Sequence, residues 1–406
     1  MSELLFPIPE HWEITTLGNV CAAGGGSIQT GPYGSQLHAS DYVPAGTPSV
    51  MPQNIGDNVI NDDGIARISD ADVNRLSSFL LDEGDIVYSR RGDVTRRAIV
   101  RKEQQGWLCG TGCLRVRIGS EANPLFVSYY LGHPQVREWI TRHAVGATML
   151  NLNTKILSAL PVALPPRGEQ YVIAGILEAL DDKIAVNDRI ARKADSLRYL
   201  HLTKFLQEQQ AFVTQVPLSS LADFVNGRAF TKNASGTGRM VIRIAELNSG
   251  PGSSTIYNDI KVPENHIARP GDVLFAWSGS LRVARWFRDE AIVNQHIFKV
   301  IPKGGMPSWL LHEILQSKLA EFQRIAADKA TTMGHIQRHH LDEPVSVPDE
   351  TYLSRLDDRL RPLWDRALLA EQESLSLSKL RDALLPKLMS GQVRIRDAEK
   401  VVEDAV

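Results

Sequence analysis

Two long stretches of the chain carry apolar residues at alternating steps of three and four. From Ile173 the positions Leu177, Leu180, Ile184, Ala191 and Ala194 keep this rhythm, with Asn187 in one seam position. A second run passes through Leu353, Leu356, Leu360, Leu363, Ala367, Ala370, Leu377, Leu384 and Leu388, with Ser374 and Arg381 as polar exceptions. This is a heptad pattern, and it predicts helices with one narrow apolar seam. Each is about 36 residues, on the order of 55 Å at about 1.5 Å per residue. Pro362 departs from the pattern and is expected to kink or restart the second helix. One stripe alone would suit a helical hairpin inside a core. Two matching stripes predict an intramolecular antiparallel pair, because each supplies the face that the other lacks.

Outside the stripes the pattern shortens. Residues 85–89, 114–118 and 297–301 are β-rich runs bounded by Gly or Pro, whereas 124–133 and 307–324 read as helical. Mixed, mostly antiparallel sheets are expected. These blocks recur. Gly84-Asp85-Ile86-Val87-Tyr88-Ser89-Arg90-Arg91-Gly92 has its counterpart in Gly271-Asp272-Val273-Leu274-Phe275-Ala276-Trp277-Ser278-Gly279. Ala147-Thr148 leads to Pro161-Val162-Ala163-Leu164-Pro165 as Ala330-Thr331 leads to Pro344-Val345-Ser346-Val347-Pro348, and Leu197-Arg198 to Lys204 lies on Leu380-Arg381 to Lys387. The offsets are 187, 183 and 183 residues, which describes one tandem duplication. The fold class that follows is α+β: two similar mixed α/β globular domains and two long helices. In chain order these are a first domain at 1–165, a first helix at 166–210, a second domain at 211–348, a second helix at 349–392 and a tail at 393–406.

Composition narrows the function. At 406 residues, with 43% hydrophobic and 23% charged residues, there is ample material for more than one core. No apolar run approaches the roughly 18 to 20 residues of a membrane span and no leader is apparent, so a cytoplasmic location and no membrane partner are expected. Cys21, Cys109 and Cys113 cannot build a disulfide framework. A formal charge of −2 argues against a free-standing non-specific DNA binder, which needs a large cationic excess. Arginine nevertheless clusters at Arg90-Arg91, Arg96-Arg97 and Arg101-Lys102, and again at Arg282, Arg285 and Arg288. That distribution suits a protein sharing DNA with basic partners.

The chain resembles type I restriction-modification specificity subunits over nearly its full length. The resemblance rests on Pro9-Glu10-His11-Trp12-Glu13 with Leu17-Gly18, Gly31-Pro32-Tyr33-Gly34-Ser35, Gln53-Asn54-Ile55, the two Gly-Asp blocks, and Pro165-Pro166 before Glu169-Gln170. Its most specific element is Leu380-Arg381-Asp382-Ala383-Leu384-Leu385-Pro386-Lys387-Leu388-Met389-Ser390-Gly391. The resemblance implies two target-recognition domains related by an approximate two-fold, each reading half of a bipartite double-stranded DNA site. It also implies an antiparallel coiled coil that sets the gap between the half-sites. The implied partners are two modification subunits, which methylate adenine with S-adenosylmethionine, and two restriction subunits, which use ATP and Mg; no cofactor is expected in this chain. The second copy departs from the first: it lacks the N-terminal Pro-Glu-Trp opening and the Gly-Pro-Tyr-Gly-Ser loop, starting instead at Val216-Pro217-Leu218 and running through Asn226-Gly227-Arg228.

No catalytic or metal site is expected. An adenine methyltransferase needs an Asn/Asp-Pro-Pro-aromatic loop, and Asn123-Pro124-Leu125-Phe126 lacks the second proline; a helix N-terminus explains it better. Ala22-Ala23-Gly24-Gly25-Gly26 matches no phosphate-binding motif and reads as a flexible loop. Cys109 and Cys113, with His335, His339 and His340, make an incomplete zinc set. The rival functions are an autonomous DNA adenine methyltransferase or nuclease with a divergent site, and a dimerisation scaffold with no DNA role.

Base edges are read by Arg, Lys, Asn, Gln, Ser and Thr, and phosphates are held by cations and backbone amides. The first-domain candidates are Ser89, Arg90, Arg91, Thr95, Arg96 and Arg97 of one hairpin, and Thr148, Asn151, Asn153 and Lys155 of a glycine-led segment. Thr148, Asn151 or Asn153 could instead cap a helix there. Gln53 and Asn54 are adenine-reading types or, equally, turn formers. The second domain offers Trp277, Ser278, Ser280, Arg282 and Arg285, with Thr331, Thr332, His335, Gln337 and Arg338.

Overall fold

The computed structural model describes residues 4–146, 148–328 and 334–406. The chain divides into two compact units, residues 1–182 with 377–406 and residues 183–376, so both cuts fall within long helices.

In the first unit Glu13–Thr16 pairs antiparallel with Pro161–Leu164. A five-stranded sheet follows in the order Gly25–Thr30, Cys113–Gly119, Ile86–Ser89, Arg97–Ile99, Asp57–Asn58. Its inner strand Ile86–Ser89 is buried at every position, as a β-branched and aromatic run with neighbours on both sides should be. A second sheet orders Tyr42–Val43, Arg67–Ile68, Thr47–Val50 and Leu108–Cys109. The Gly-rich segment expected to be a flexible loop is ordered: helix Leu17–Ala23 runs into strand Gly25–Thr30. Its glycines permit close approach, since a Cβ on Gly26 would lie 1.9 Å from the Arg117 carbonyl oxygen. Asn123 caps helix Pro124–Leu131, its Oδ1 accepting from the Leu125 and Phe126 amides with Pro124 in the first turn.

In the second unit Val213–Pro217 pairs with Pro344–Pro348, restoring the opening ladder that sequence alone left without a counterpart. The strand order Ala222–Asn226, Ile297–Pro302, Val273–Ala276, Arg282–Arg285 repeats the first four strands of the first unit's large sheet. The parallel pair Thr47–Val50 with Leu108–Cys109 reappears as Arg239–Ile242 with Ala291–Val293. The remaining pairing is mostly antiparallel, as expected. The two Gly-Asp blocks occupy equivalent strands, each the partner of two neighbours. Helix Ser308–Asp328 covers this sheet through Trp309, Leu311, Leu315 and Phe322.

The heptads form helices Arg167–Glu208 and Glu350–Met389. Within the second unit Ala191 and Ala194 pack with Ala367 and Ala370, Lys183 lies 3.5 Å from Glu373, and the Ser374 hydroxyl meets Asp188 Oδ1 at 3.2 Å. The helices are therefore antiparallel there. The polar seam residue Asn187 is fully buried, and neither side-chain polar atom finds a partner among the described residues. In the first unit Arg381, the other polar exception, donates from Nη1 to Asp181 Oδ1 at 2.6 Å. Pro362 does not restart the second helix. Its cost of about 3 kcal/mol or more is offset by its flanks, where Leu360 and Trp364 are buried in the core. The last residues form helix Ile395–Glu403, which buries Ala398 and Val402.

One buried histidine gives the first unit a pH dependence. His133 caps helix Pro134–His143, its Nδ1 accepting from the Gln135 amide, and stacks on Phe6 at 3.8 Å. Burial lowers its pKa to about 4 from 6.5. The folded state thus keeps His133 neutral where the unfolded chain would protonate it. Stability is complete above about pH 6.5 and falls as pH drops from there towards about 4. His133→Asn, which keeps the cap acceptor, should flatten that part of the unfolding curve of pH against denaturation midpoint. An unchanged slope would remove His133 as its source.

Candidate nucleic-acid interface

At one end of each large sheet, four chain segments are stitched together by the same backbone bonds. In the first unit these run from Gly31 N to Cys113 O (2.9 Å), Arg90 N to Gly112 O (2.8 Å), Leu152 N to Arg90 O (2.8 Å) and Gly92 N to Leu150 O (3.2 Å). In the second they run from Gly227 N to Ile297 O (3.0 Å), Trp277 N to His296 O (3.1 Å), Ile336 N to Trp277 O (3.1 Å) and Gly279 N to Gly334 O (3.0 Å). The isolated bridges Arg91 with Asn151 and Ser278 with His335 complete the match. Gly31 and Gly227 are needed for the approach: a Cβ there would come within 2.2 Å of the Gly110 carbonyl oxygen and 2.1 Å of that of Asn294.

The hairpin and the glycine-led segment, which were separate candidates in the sequence, therefore form one surface in each unit. In the first, the Arg90 guanidinium lies 5.7 Å from the Tyr33 ring centroid, and its buried Nε has no acceptor among the described residues. Arg91, Thr148 and Lys155 are exposed and Asn151 is half-buried. Asn153 caps helix Thr154–Ser158, accepting from the Ile156 amide at 2.9 Å. Thr95 and Arg96 both bind Asp93, and Gln53 is exposed on a cleft of about 390 Å³ that they also line.

Three first-unit candidates face inwards. Asn54 is buried in a turn, with Oδ1 accepting from the Met51 amide and Nδ2 donating to Asn61 O. The buried Ser89 hydroxyl donates to Arg91 O. Arg97 is buried and donates to the Ser128 carbonyl and to Asp57 Oδ1, each at 2.6 Å. Burial pulls the Asp57 pKa up, but Arg97, Arg137 and Arg381 outweigh it and hold the carboxyl well below the usual carboxylate range.

In the second unit Trp277 takes the place of Arg90. Its ring stacks on Phe298 at 5.7 Å, its Nε1 donates to Asn226 Oδ1 at 2.9 Å, and His335 stands edge-on at 6.3 Å. Ser278 is buried, while Ser280, Arg282, Gln337 and Arg338 are exposed, Arg282 reaching Asn248 O at 3.2 Å. Arg338 shares a cleft of about 600 Å³ with Asn226, Arg228 and His266. Arg285 is buried, paired with Glu371 at 2.8 Å and Asp195 at 3.1 Å. Thr331 and Thr332 lie outside the described residues. Sequence reasoning missed Tyr33, Asn226, Arg228 and His296 on these surfaces. Laying the second copy on the first at an offset of 184 would have placed His296 where the first copy has Gly112.

Cys109 and Cys113 are buried, and burial raises the Cys109 thiol to about 12, so neither is a reactive thiolate. Among the described residues no group of three or more His, Cys, Asp or Glu could hold a metal ion, and no helix is long and apolar enough to cross a membrane.

Residues 9–194 match the family described as type I restriction modification DNA specificity domain. The specificity subunit of the type I restriction enzyme MjaIX of Methanocaldococcus jannaschii is 20% identical over 433 aligned positions, covering 96% of this chain and 95% of the relative. Among solved structures, the S subunit of a type I restriction-modification system from M. genitalium is 16% identical. It covers 95% of this chain and 98% of its own, with a TM-score of 0.56, which is a likeness of fold.

Proposed function

We infer that the chain belongs to the type I restriction-modification specificity subunits, and that both of its units read DNA while neither transforms it. The observation that carries this is the repeated surface. The family match covers mainly the first unit, and the second repeats its ladders, its bridges and its four stitched segments. A surface built twice and lined differently suits a bipartite site whose halves differ in sequence. Arg90, Arg91, Thr148, Asn151 and Lys155 face the first half-site; Trp277, Ser280, His335, Gln337 and Arg338 face the second. Gln53, Thr95, Arg96 and Arg282 flank these surfaces. Arg97 and Arg285 support the reading loops from inside.

In this reading the methylating and cutting chemistry, with S-adenosylmethionine, ATP and Mg, belongs to two modification and two restriction subunits. The long helices serve as the spacer, and the complex works in the cytoplasm. Methylation mapping by the purified complex tests it: the product should be a split site, and methyl transfer by the chain alone would overturn it.

Replacing Arg90 and Arg91 together with Ala should weaken one half-site and leave subunit assembly intact. Each lost bidentate base contact costs about 1 to 3 kcal/mol, whereas each lost phosphate contact lowers the salt slope by roughly one unit. Binding titrations at several salt concentrations distinguish the two. Unchanged affinity and slope would remove this turn from the interface.

A further inference from the structure

The second unit's surface holds a strained residue that its first-unit counterpart does not. His296 has φ +75°, in the left-handed region where glycine is at ease. Gly112 fills the equivalent place in the first unit at φ +83°, its carbonyl accepting the same bond from the preceding Gly-Asp hairpin. The turn therefore works with glycine, and the histidine is not required by the backbone. It sits there at a conformational cost that glycine would not carry.

Among the described residues the side chain makes no hydrogen bond that would offset this cost. It is exposed, and its ring lies 5.3 Å from that of Trp277, centroid to centroid, tilted by 46°. Trp277 is itself fixed, stacked on Phe298 and tied to Asn226. The imidazole is thus set against a rigid indole on the repeated surface, exposed and with neither nitrogen hydrogen-bonded among the described residues. A neutral imidazole presents one donor and one acceptor, which suits a base edge.

Resting on the DNA-reading function above, we propose that His296 is a specificity-determining residue that hydrogen-bonds one base edge of the second half-site. The decisive variant is His296→Gly, which installs the first unit's own solution. In the full complex with modification subunits it should fold with an equal or higher melting temperature, because the strain is relieved. It should also lose discrimination at a single position of one half-site by about twofold to tenfold, the value of one hydrogen bond, with the other half-site unchanged. His296→Ala removes the ring and keeps the strain, so it should show the same relaxed position with a lower melting temperature.

Selection of bound sequences from a randomised pool reads both results. An unaltered site in both variants overturns the role of His296. So does a uniform loss of affinity with a shallower salt slope and no relaxed position, which would mark a phosphate contact. Failure of the broader reading looks different: the unmodified complex itself would select no sequence.

Discussion

Trp364→Ala is expected to destabilise the second unit by about 3 to 5 kcal/mol, the range for emptying a large aromatic site in a core. Trp364 is buried on the second long helix. The Arg198 and Arg285 guanidiniums lie 4.9 and 4.5 Å from its ring centroid, and His312 meets it edge-on at 5.4 Å. The ring therefore joins the first long helix, a sheet strand and helix Ser308–Asp328 through one side chain. Alanine would leave a cavity and remove the ring on which both cations rest, while Asp195 Oδ1, 2.8 Å from Arg198 Nη1 and 3.1 Å from Arg285 Nη1, would still bridge them. Hydrogen exchange should show protection lost across residues 183–376, and Trp364→Phe should recover much of it. A loss below about 1 kcal/mol would mean that the site collapses without cost.

Arg198→Ala should be comparably damaging, by about 3 to 5 kcal/mol, for an electrostatic reason. Arg198 is fully buried and donates from Nε and Nη2 to Glu313 Oε1 at 2.9 and 2.7 Å. Its Nη1 lies 2.8 Å from Asp195 Oδ1, within reach of charge attraction though off the hydrogen-bonding line. Removing the guanidinium takes two donors from the buried Glu313 carboxylate and leaves beside it the His312 Nδ1, 3.3 Å from Oε1. One further measurement separates this from lost packing. The double variant Arg198→Met with Glu313→Leu should recover most of the stability, since matched apolar replacements of a buried pair are often neutral or better. Equal losses in the single and double variants would assign the effect to packing.

The parts of this molecule that were legible in the sequence are those whose signal is periodic or repeated. The heptads predicted the buried face, down to Asn187 and Ser374 at seam positions, because helix geometry alone assigns a face. The Gly-Asp blocks marked equivalent strands because both copies kept their turn glycines. Arginine was ambiguous: Arg90 and Arg91 stay at the surface, while Arg97 and Arg285 turn inwards to Asp57, Glu371 and Asp195. Those acids lie far away in sequence, so no local pattern could reveal the pairing. Ala22–Gly26 misled because glycine marks close strand approach as often as a loop, and the partner carbonyl is some 90 residues away. His296 was hidden for a similar reason, since its strain exists only once the turn is built.

The discontinuity of the first unit has a consequence in time. During synthesis its first 182 residues emerge earliest, yet it also needs residues 377–406. At about 5 to 20 residues per second, the intervening segment takes roughly 10 to 40 s to make. Throughout that interval Asp181 waits for Arg381, whereas residues 183–376 can close as one uninterrupted piece. The domain that is translated first is thus completed last. A ribosome that stalls before Leu377 releases a chain whose beginning, rather than its end, is unfinished.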